Sequence, residues 1–311
     1  MKTLNMYKRI NIIPMVNTEF QIGEKFDLGN GFSIRKKMFS IEEKLRIMTD
    51  QYERQMMSES LIHELENSNY WLVAEYESSQ KEDCEDDVNI RNLSKALLTM
   101  MRIVRPSKVY EYVIMTYVIE EEFYRAIYHA ATIGEAYILA NQFEFEYVFT
   151  DEDILRIKEI FSNFHKYHVN DNIVGEGRIQ SSILFFKVAT ETFRNETRLV
   201  NFSIALESIF STDNIELSYR ISLRVSFFLG NNSVERKKIF EEVREIYNLR
   251  SRIVHGNVLK KKEKNKIPKT LENLETYLRA SIIKILKEPK LISIFKDDTE
   301  INNYFDDLIL E

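Results

Sequence analysis

The sequence predicts an α+β protein: a mixed α/β region over residues 1–148, then an all-α helical bundle over residues 149–311. Three observations predict it. Short extended runs separated by turn signals occupy the first half. Apolar residues recur at helical spacing from Thr150 onward. Only 8 Gly and 4 Pro punctuate 311 residues, too few for long linkers. A hydrophobic content of 44% against 30% charged residues is enough for a sizeable core.

Phe20 to Lys37 holds two extended runs around Gly29-Asn30-Gly31, residues that tolerate positive φ and so mark a turn. Ser40-Ile41-Glu42-Glu43 has the capping-box pattern and predicts a helix towards Glu53 or Met57. Trp71 to Tyr76 reads as a strand, followed by an acidic loop from Lys81 to Asp87. Val109 to Glu120 is rich in β-branched and tyrosyl residues and predicts a strand, with a buried helix as the alternative. Phe143 to Phe149 alternates with period 2, as a half-buried strand does. Thr150-Asp151-Glu152-Asp153 then places a cap and three acids at a helix start, with Ile154, Ile157, Ile160, Phe161 and Phe164 recurring behind it. Further helices are expected at about 176–194, 197–211, 216–229, 233–255 and 269–287.

No apolar run approaches the roughly 18–20 residues needed to span a bilayer, so no membrane association is expected. Met1 to Asn17 lacks an apolar core followed by a small-residue cleavage site, and no signal peptide is expected. The single cysteine, Cys84, excludes an intramolecular disulfide, and its acidic neighbours disfavour a thiolate. A cytoplasmic location follows as the default. The net charge of −6 argues against a protein that coats nucleic acid indiscriminately. From Ile215 to Lys266, however, 13 Lys and Arg face 6 Asp and Glu, a local balance of +7. That excess suits either a localised phosphate-binding surface or ordinary solvated helix faces.

Within the helix expected from Ser233 to His255, the residues Ile239, Val243, Ile246, Tyr247, Arg250 and Val254 fall on or near one stripe. Arg250 thus stands where an apolar residue belongs, and must be paired or line a cleft or interface. Gly256 is a natural residue for ending the helix, which puts His255 at its terminus. RNA cleavage through the 2′-hydroxyl requires proton transfer and positive charge for the developing phosphorane. Histidine suits the first and arginine the second. Positions five apart on a regular helix diverge by about 140°, whereas Ser251 and Arg252 lie beside His255. Either the helix loosens before Gly256 or the site is composite, with Arg252 an alternative phosphate ligand. The plainer reading of Arg250 and His255 is a structural ion pair and a histidine stabilised by the helix dipole.

The segment Tyr247 to Gly256 resembles the R-x(4–6)-H signature of HEPN domains, and specifically the Apea-like subgroup. The resemblance extends to Phe202–Ser211 and Glu216–Val225, and so covers roughly the last half of the chain. It implies a helical domain that commonly dimerises, bringing two motifs to a shared cleft. Active members are metal-independent endoribonucleases, often toxins or effectors of anti-phage defence. On that carry-over Arg250 and His255 are catalytic, supported by Ser251, Arg252 and Glu207. Ser251 stands where many catalytic members have Asn, Asp or His. No cofactor or metal is implied. The implied partners are RNA, a second copy of the chain, and a phage-derived trigger or an antitoxin. The N-terminal half resembles the accessory region that often precedes this subgroup. The alternative is a non-catalytic HEPN module that binds RNA or protein as a sensor or scaffold.

Glu207 lies near an apolar face with Val200 and Ile204, and is expected to orient Arg250, Arg220 or Arg224; proton transfer is its other possible role. Lys260 to Lys266 is expected to be a solvated loop, with RNA backbone contacts by Lys260, Lys261 and Lys262 as the alternative. His165 and His168 have weak metal-ligand spacing, and His63 and His129 are expected to be structural residues in helices. No Gly-rich phosphate loop, Ser-His-Asp order or nucleotide fingerprint occurs.

Overall fold

The run Tyr7–Met15 is buried from Arg9 onward, which suits a strand flanked on both edges rather than an exposed one. In the computed structural model this run is β1, an interior strand of a sheet. The structure describes residues 6–15, 18–36, 68–107, 109, 113–120, 123–131, 147–168, 177–213 and 215–310. The helix expected after Ser40, His63, and residues 143–146 of the alternating run lie outside them.

The chain forms two compact units, Met1–Ser162 and Asn163–Glu311. Together they make an α+β protein whose C-terminal part is helical, as the sequence predicts. In the first unit the described strands are β1, β2 (Thr18–Phe20), β3 (Lys25–Gly29), β4 (Phe32–Lys36), β5 (Tyr70–Ser78), β6 (Val113–Glu120), β7 (Phe123–Ala131) and β8 (Tyr147–Phe149). Six of them form an antiparallel sheet in the order β3-β4-β5-β1-β6-β7, and β2 pairs with β8 in parallel. The β3–β4 turn uses positive φ at Gly29, Asn30 and Gly31. A side chain at Gly31 would strike the Glu75 carbonyl of β5, so glycine is required there by space as well as by φ.

Helix α1 (Glu85–Val104) packs on β1 and β5. The expected acidic loop is therefore corrected: Glu85, Asp86 and Asp87 form the first turn of α1, where the helix dipole favours negative charge. Asp87 also accepts from the Cys84 N–H at 2.9 Å. The same carboxylate pairs with Arg9 of β1, both side chains being 0% exposed, and accepts from the Tyr76 hydroxyl of β5. Burial and the bond to Asp87 together push the Tyr76 hydroxyl pKa well up. Deeper in, Ser94 Oγ of α1 donates to Asn11 Oδ1 at 3.0 Å, while Asn11 Nδ2 donates to Thr116 Oγ1 of β6 at 3.0 Å. Of the two readings of Val109–Glu120, the strand is the one found. His129 belongs to strand β7, not to a helix, because Phe123–Ala131 pairs along the whole of β6.

Helix α2 (Asp151–His168) starts where expected, Thr150 and Asp153 exchanging capping bonds. Burial alone would raise the Asp153 carboxyl, but the Thr150 N–H and Arg105 outweigh it and hold its pKa below the usual range. Its stabilising contribution is therefore present at neutral pH and lost on acidification.

The second unit contains α3 (Arg178–Thr190), α4 (Asn195–Phe210), α5 (Leu217–Leu229), α6 (Ser233–Val254), α7 (Lys261–Lys287), α8 (Pro289–Ile294) and α9 (Asp298–Leu310). Helix α4 touches α3, α5, α6 and α7 and buries Leu199, Phe202, Leu206, Ile209 and Phe210. Phe210, Phe228, Phe295 and Phe305 meet edge-on or tilted, their ring centroids 5.4 to 6.2 Å apart. The buried Arg224 lies against Phe305 and donates to the Phe210 carbonyl at 2.7 Å; burial lowers its pKa to about 10. Helix α7 corrects a second expectation. Its first turns are the lysine-rich segment read as a loop, and Pro268 lies inside it. Glu263 accepts from the Lys260 N–H at 2.7 Å and pairs with Arg252 of α6, while Lys266 pairs with Glu245 of α6. These contacts secure a start that the lysines alone would not favour.

Asp87→Ala would leave Arg9 buried without a counter-charge and should lower stability by about 3–5 kcal/mol in urea unfolding. A loss under about 1 kcal/mol would show that the pair is not what holds α1 to the sheet.

Candidate functional site

Helix α6 begins on Asn232, whose Oδ1 accepts from the Val234 and Glu235 N–H groups at 3.1 and 3.0 Å. It stays regular to its end. The His255 N–H reaches Ser251 O at 3.0 Å, the Gly256 N–H reaches Ile253 O at 3.1 Å, and the Asn257 N–H reaches Arg252 O at 2.9 Å. With Gly256 at φ 68°, these bonds make a Schellman motif. The helix therefore does not loosen before Gly256, and Arg250 and His255 diverge as on any regular helix.

Arg250 points inward. Its Nη2 lies 3.3 Å from Glu207 Oε1 and 3.5 Å from Oε2, with the two side chains 25% and 19% exposed. Of the three arginines considered for Glu207, Arg250 is the partner; Arg220 pairs with Asp213. Burial pushes the Glu207 carboxyl pKa up, against the opposing pull of Arg250 and Tyr247. The Tyr247 hydroxyl beside them is raised far above its usual value, first by burial and then by the Glu207 carboxylate. Arg250 Nε is buried with no hydrogen-bond partner among the described residues.

His255 points outward. It is exposed, and among the described residues its imidazole has no hydrogen-bond partner. Ser251 is exposed one turn before it. Arg252 is not a free phosphate ligand, since it pairs with Glu263 and donates to the Val258 carbonyl at 3.3 Å, tying the turn after α6 to α7. Lys260, Lys261 and Lys262 are exposed at the start of α7. Glu207 and Arg250 are thus brought together, whereas Arg250 and His255 leave the helix on different sides.

A second face of α6 joins His255. Arg244, Asn248, Ser251 and His255 recur at i, i+4, i+7 and i+11, within about 60° of one another, and all four are exposed. Arg244 and Asn248 line a cleft of about 530 Å³ whose other wall is Glu216, Leu217, Ser218 and Tyr219 at the start of α5. The sequence reading missed Arg244, Asn248 and Tyr219. For Arg244 and Asn248 the signal that could have found them is the polar periodicity running back from His255, which a search for apolar stripes passes over; Tyr219 lies on α5 and carries no such signal. Among the described residues no group of three or more His, Cys, Asp or Glu could hold a metal ion, and no helix is long and apolar enough to cross a membrane.

Comparison with known proteins gives no match to a family model, a curated protein or a solved structure.

Arg250→Ala would strand Glu207 half-buried without its counter-charge and should cost about 1–3 kcal/mol at pH 7. Without the arginine the folded pKa of Glu207 rises further above its unfolded value. The stabilising effect of the protonated carboxyl is complete below the unfolded pKa and is lost as pH rises through the folded one. The deficit should therefore shrink as pH falls from 7, and urea unfolding across pH checks this. A pH-independent deficit would show that Glu207 is not the group left unpaired.

Proposed function

We propose that this chain is a metal-independent endoribonuclease of the HEPN type, acting as a homodimer and serving as an effector of bacterial anti-phage defence. The observation that carries the reading is His255, a solvent-facing imidazole at the Schellman terminus of α6, one turn beyond the arginine of the R-x4-H pattern. In the reaction the RNA 2′-oxygen loses its proton and attacks phosphorus. The P–O5′ bond breaks, leaving a 2′,3′-cyclic phosphate, and the departing 5′-oxygen takes up a proton. A single imidazole performs one of these transfers, and the same residue of a second copy provides the other. Exposed Val254 and Val258, 51% and 88% accessible on either side of His255, give such a copy apolar surface to cover.

A further observation favours an RNA-facing surface. Lys260, Lys261 and Lys262 stand at the positive end of the α7 dipole, where lysines weaken a helix, so a polyanion suits them better than helix formation does. Arg250, held by Glu207, acts in this reading by fixing α6. That same pairing favours the second reading, a non-catalytic RNA- or protein-binding HEPN module, because the charge of Arg250 is already matched.

His255→Ala should abolish RNA cleavage in EDTA while leaving the thermal unfolding midpoint within about 1 °C, since the side chain is exposed. Cleavage that persists in this variant would sink the nuclease assignment.

A further inference from the structure

Tyr219 is a large aromatic residue left 49% exposed at the mouth of the α5–α6 cleft. Its ring meets Phe240 edge-on, with centroids 5.6 Å apart and planes at 81°. Phe240 in turn lies under the Arg244 guanidinium, 5.7 Å from the ring centroid. Two aromatic rings and a cation thus form a ladder from the α5 wall of the cleft to the α6 wall, with Tyr219 left half-exposed at its α5 end.

Arg244 differs from its neighbours. Arg220, Arg250 and Arg252 each face a carboxylate, whereas among the described residues no carboxylate pairs with Arg244. Its charge is therefore available to a ligand. Asn248 presents an exposed amide one turn further on, and Ser251 and His255 continue the same face. From Arg244 to His255 the helix rises on the order of 16 Å, the span of a few nucleotides of extended single strand. Glu216 also lines the α5 wall of the cleft; a carboxylate is an acceptor only, chemistry that suits a ribose hydroxyl or a base amino group and not a phosphate.

We propose that this cleft is a nucleotide subsite for single-stranded RNA: a base stacks on Tyr219, Arg244 holds a backbone phosphate, and the strand runs along Asn248 and Ser251 to His255. The proposal rests on the ribonuclease reading for the direction of the strand, and on the Tyr219–Phe240–Arg244 ladder for the subsite itself. Stacking on an exposed ring tolerates any base, so the subsite confers affinity for unpaired RNA without sequence preference. A duplex, whose bases are already stacked, offers it nothing.

The experiment uses the full chain carrying His255→Ala and a fluorescein-labelled, unstructured RNA of about ten nucleotides, read by fluorescence anisotropy. Adding Tyr219→Ala or Arg244→Ala should weaken binding about tenfold or more, and Tyr219→Phe, which keeps the ring, should restore it to within about twofold. Arg244→Ala should also reduce the salt slope of binding by about one. Lys269→Ala, on a lysine already paired with Glu272, serves as the neutral control. Both cleft residues are exposed, and unchanged melting of each variant confirms the fold. Affinity unchanged in Tyr219→Ala and Arg244→Ala, no RNA binding at all, or equal affinity for duplex RNA would each overturn the subsite. If the His255→Ala chain still cleaves RNA but the cleft variants lose binding, the nuclease reading fails and the subsite stands. If cleavage is lost and the cleft variants bind normally, the reverse holds.

Discussion

The pairing of Arg250 with Glu207 fits only the rotation of α6 that also buries Ile239, Val243, Ile246 and Tyr247, and the faces that α6 presents depend on that rotation. An arginine on the apolar side of a helix is tolerated only if a counter-charge meets it, and Glu207 of α4 does so at 3.3 Å. Tyr247 sits buried one turn before Arg250 on the same side and joins the contact. With that side held against α4, Glu242, Glu245 and Arg252 fall towards α7, where they meet Tyr277, Lys266 and Glu263. The remaining face, Arg244 to His255, is left to solvent beside α5. The inward arginine and the outward histidine are thus two consequences of one rotation. Within one chain, then, Arg250 and His255 do not form an adjacent pair: the arginine is held against Glu207, and the histidine faces solvent.

The N-terminal unit uses a similar device. Arg9 in the middle of an apolar sheet meets Asp87 at the first turn of α1, and Tyr76 and the Cys84 N–H take the remaining capacity of that carboxylate. A fully buried pair of this kind adds little net stability relative to apolar packing, but it fits only one register of α1 on β1 and β5. The Ser94–Asn11–Thr116 chain repeats that selection two turns further along the helix. In both units a few polar contacts between elements help to specify how the apolar core is aligned.

What the sequence made legible is what short-range physics decides. The Gly29-Asn30-Gly31 turn, the Thr150–Asp153 cap and the Gly256 terminus each depend on a handful of adjacent residues. That Arg250 needed a partner was also readable, because one charge on an apolar stripe is a local anomaly. Which carboxylate answers it was not, since Glu207 lies 43 residues away and competed with other candidate pairings. Strand β1 and helix α1 were missed for the same reason. Their polar residues Arg9, Asn11, Asp87 and Ser94 interrupt the apolar patterns, and only the cross-pairing between the two elements explains them. The start of α7 was hidden by lysines and Pro268, which read as loop until Glu263, Arg252 and Glu245 are seen holding it.

The functional account therefore centres on one surface, the Arg244–His255 face of α6 with Tyr219 opposite, rather than on the Arg250–His255 pair alone. Photocrosslinking tests it most directly. Single-stranded RNA substituted with 4-thiouridine is irradiated with the full chain carrying His255→Ala, and the attachment sites are mapped by mass spectrometry. The account predicts crosslinks at Tyr219 and within the peptide from Asn248 to Asn257. Crosslinks that fall elsewhere, with both of those segments unmodified, would contradict it.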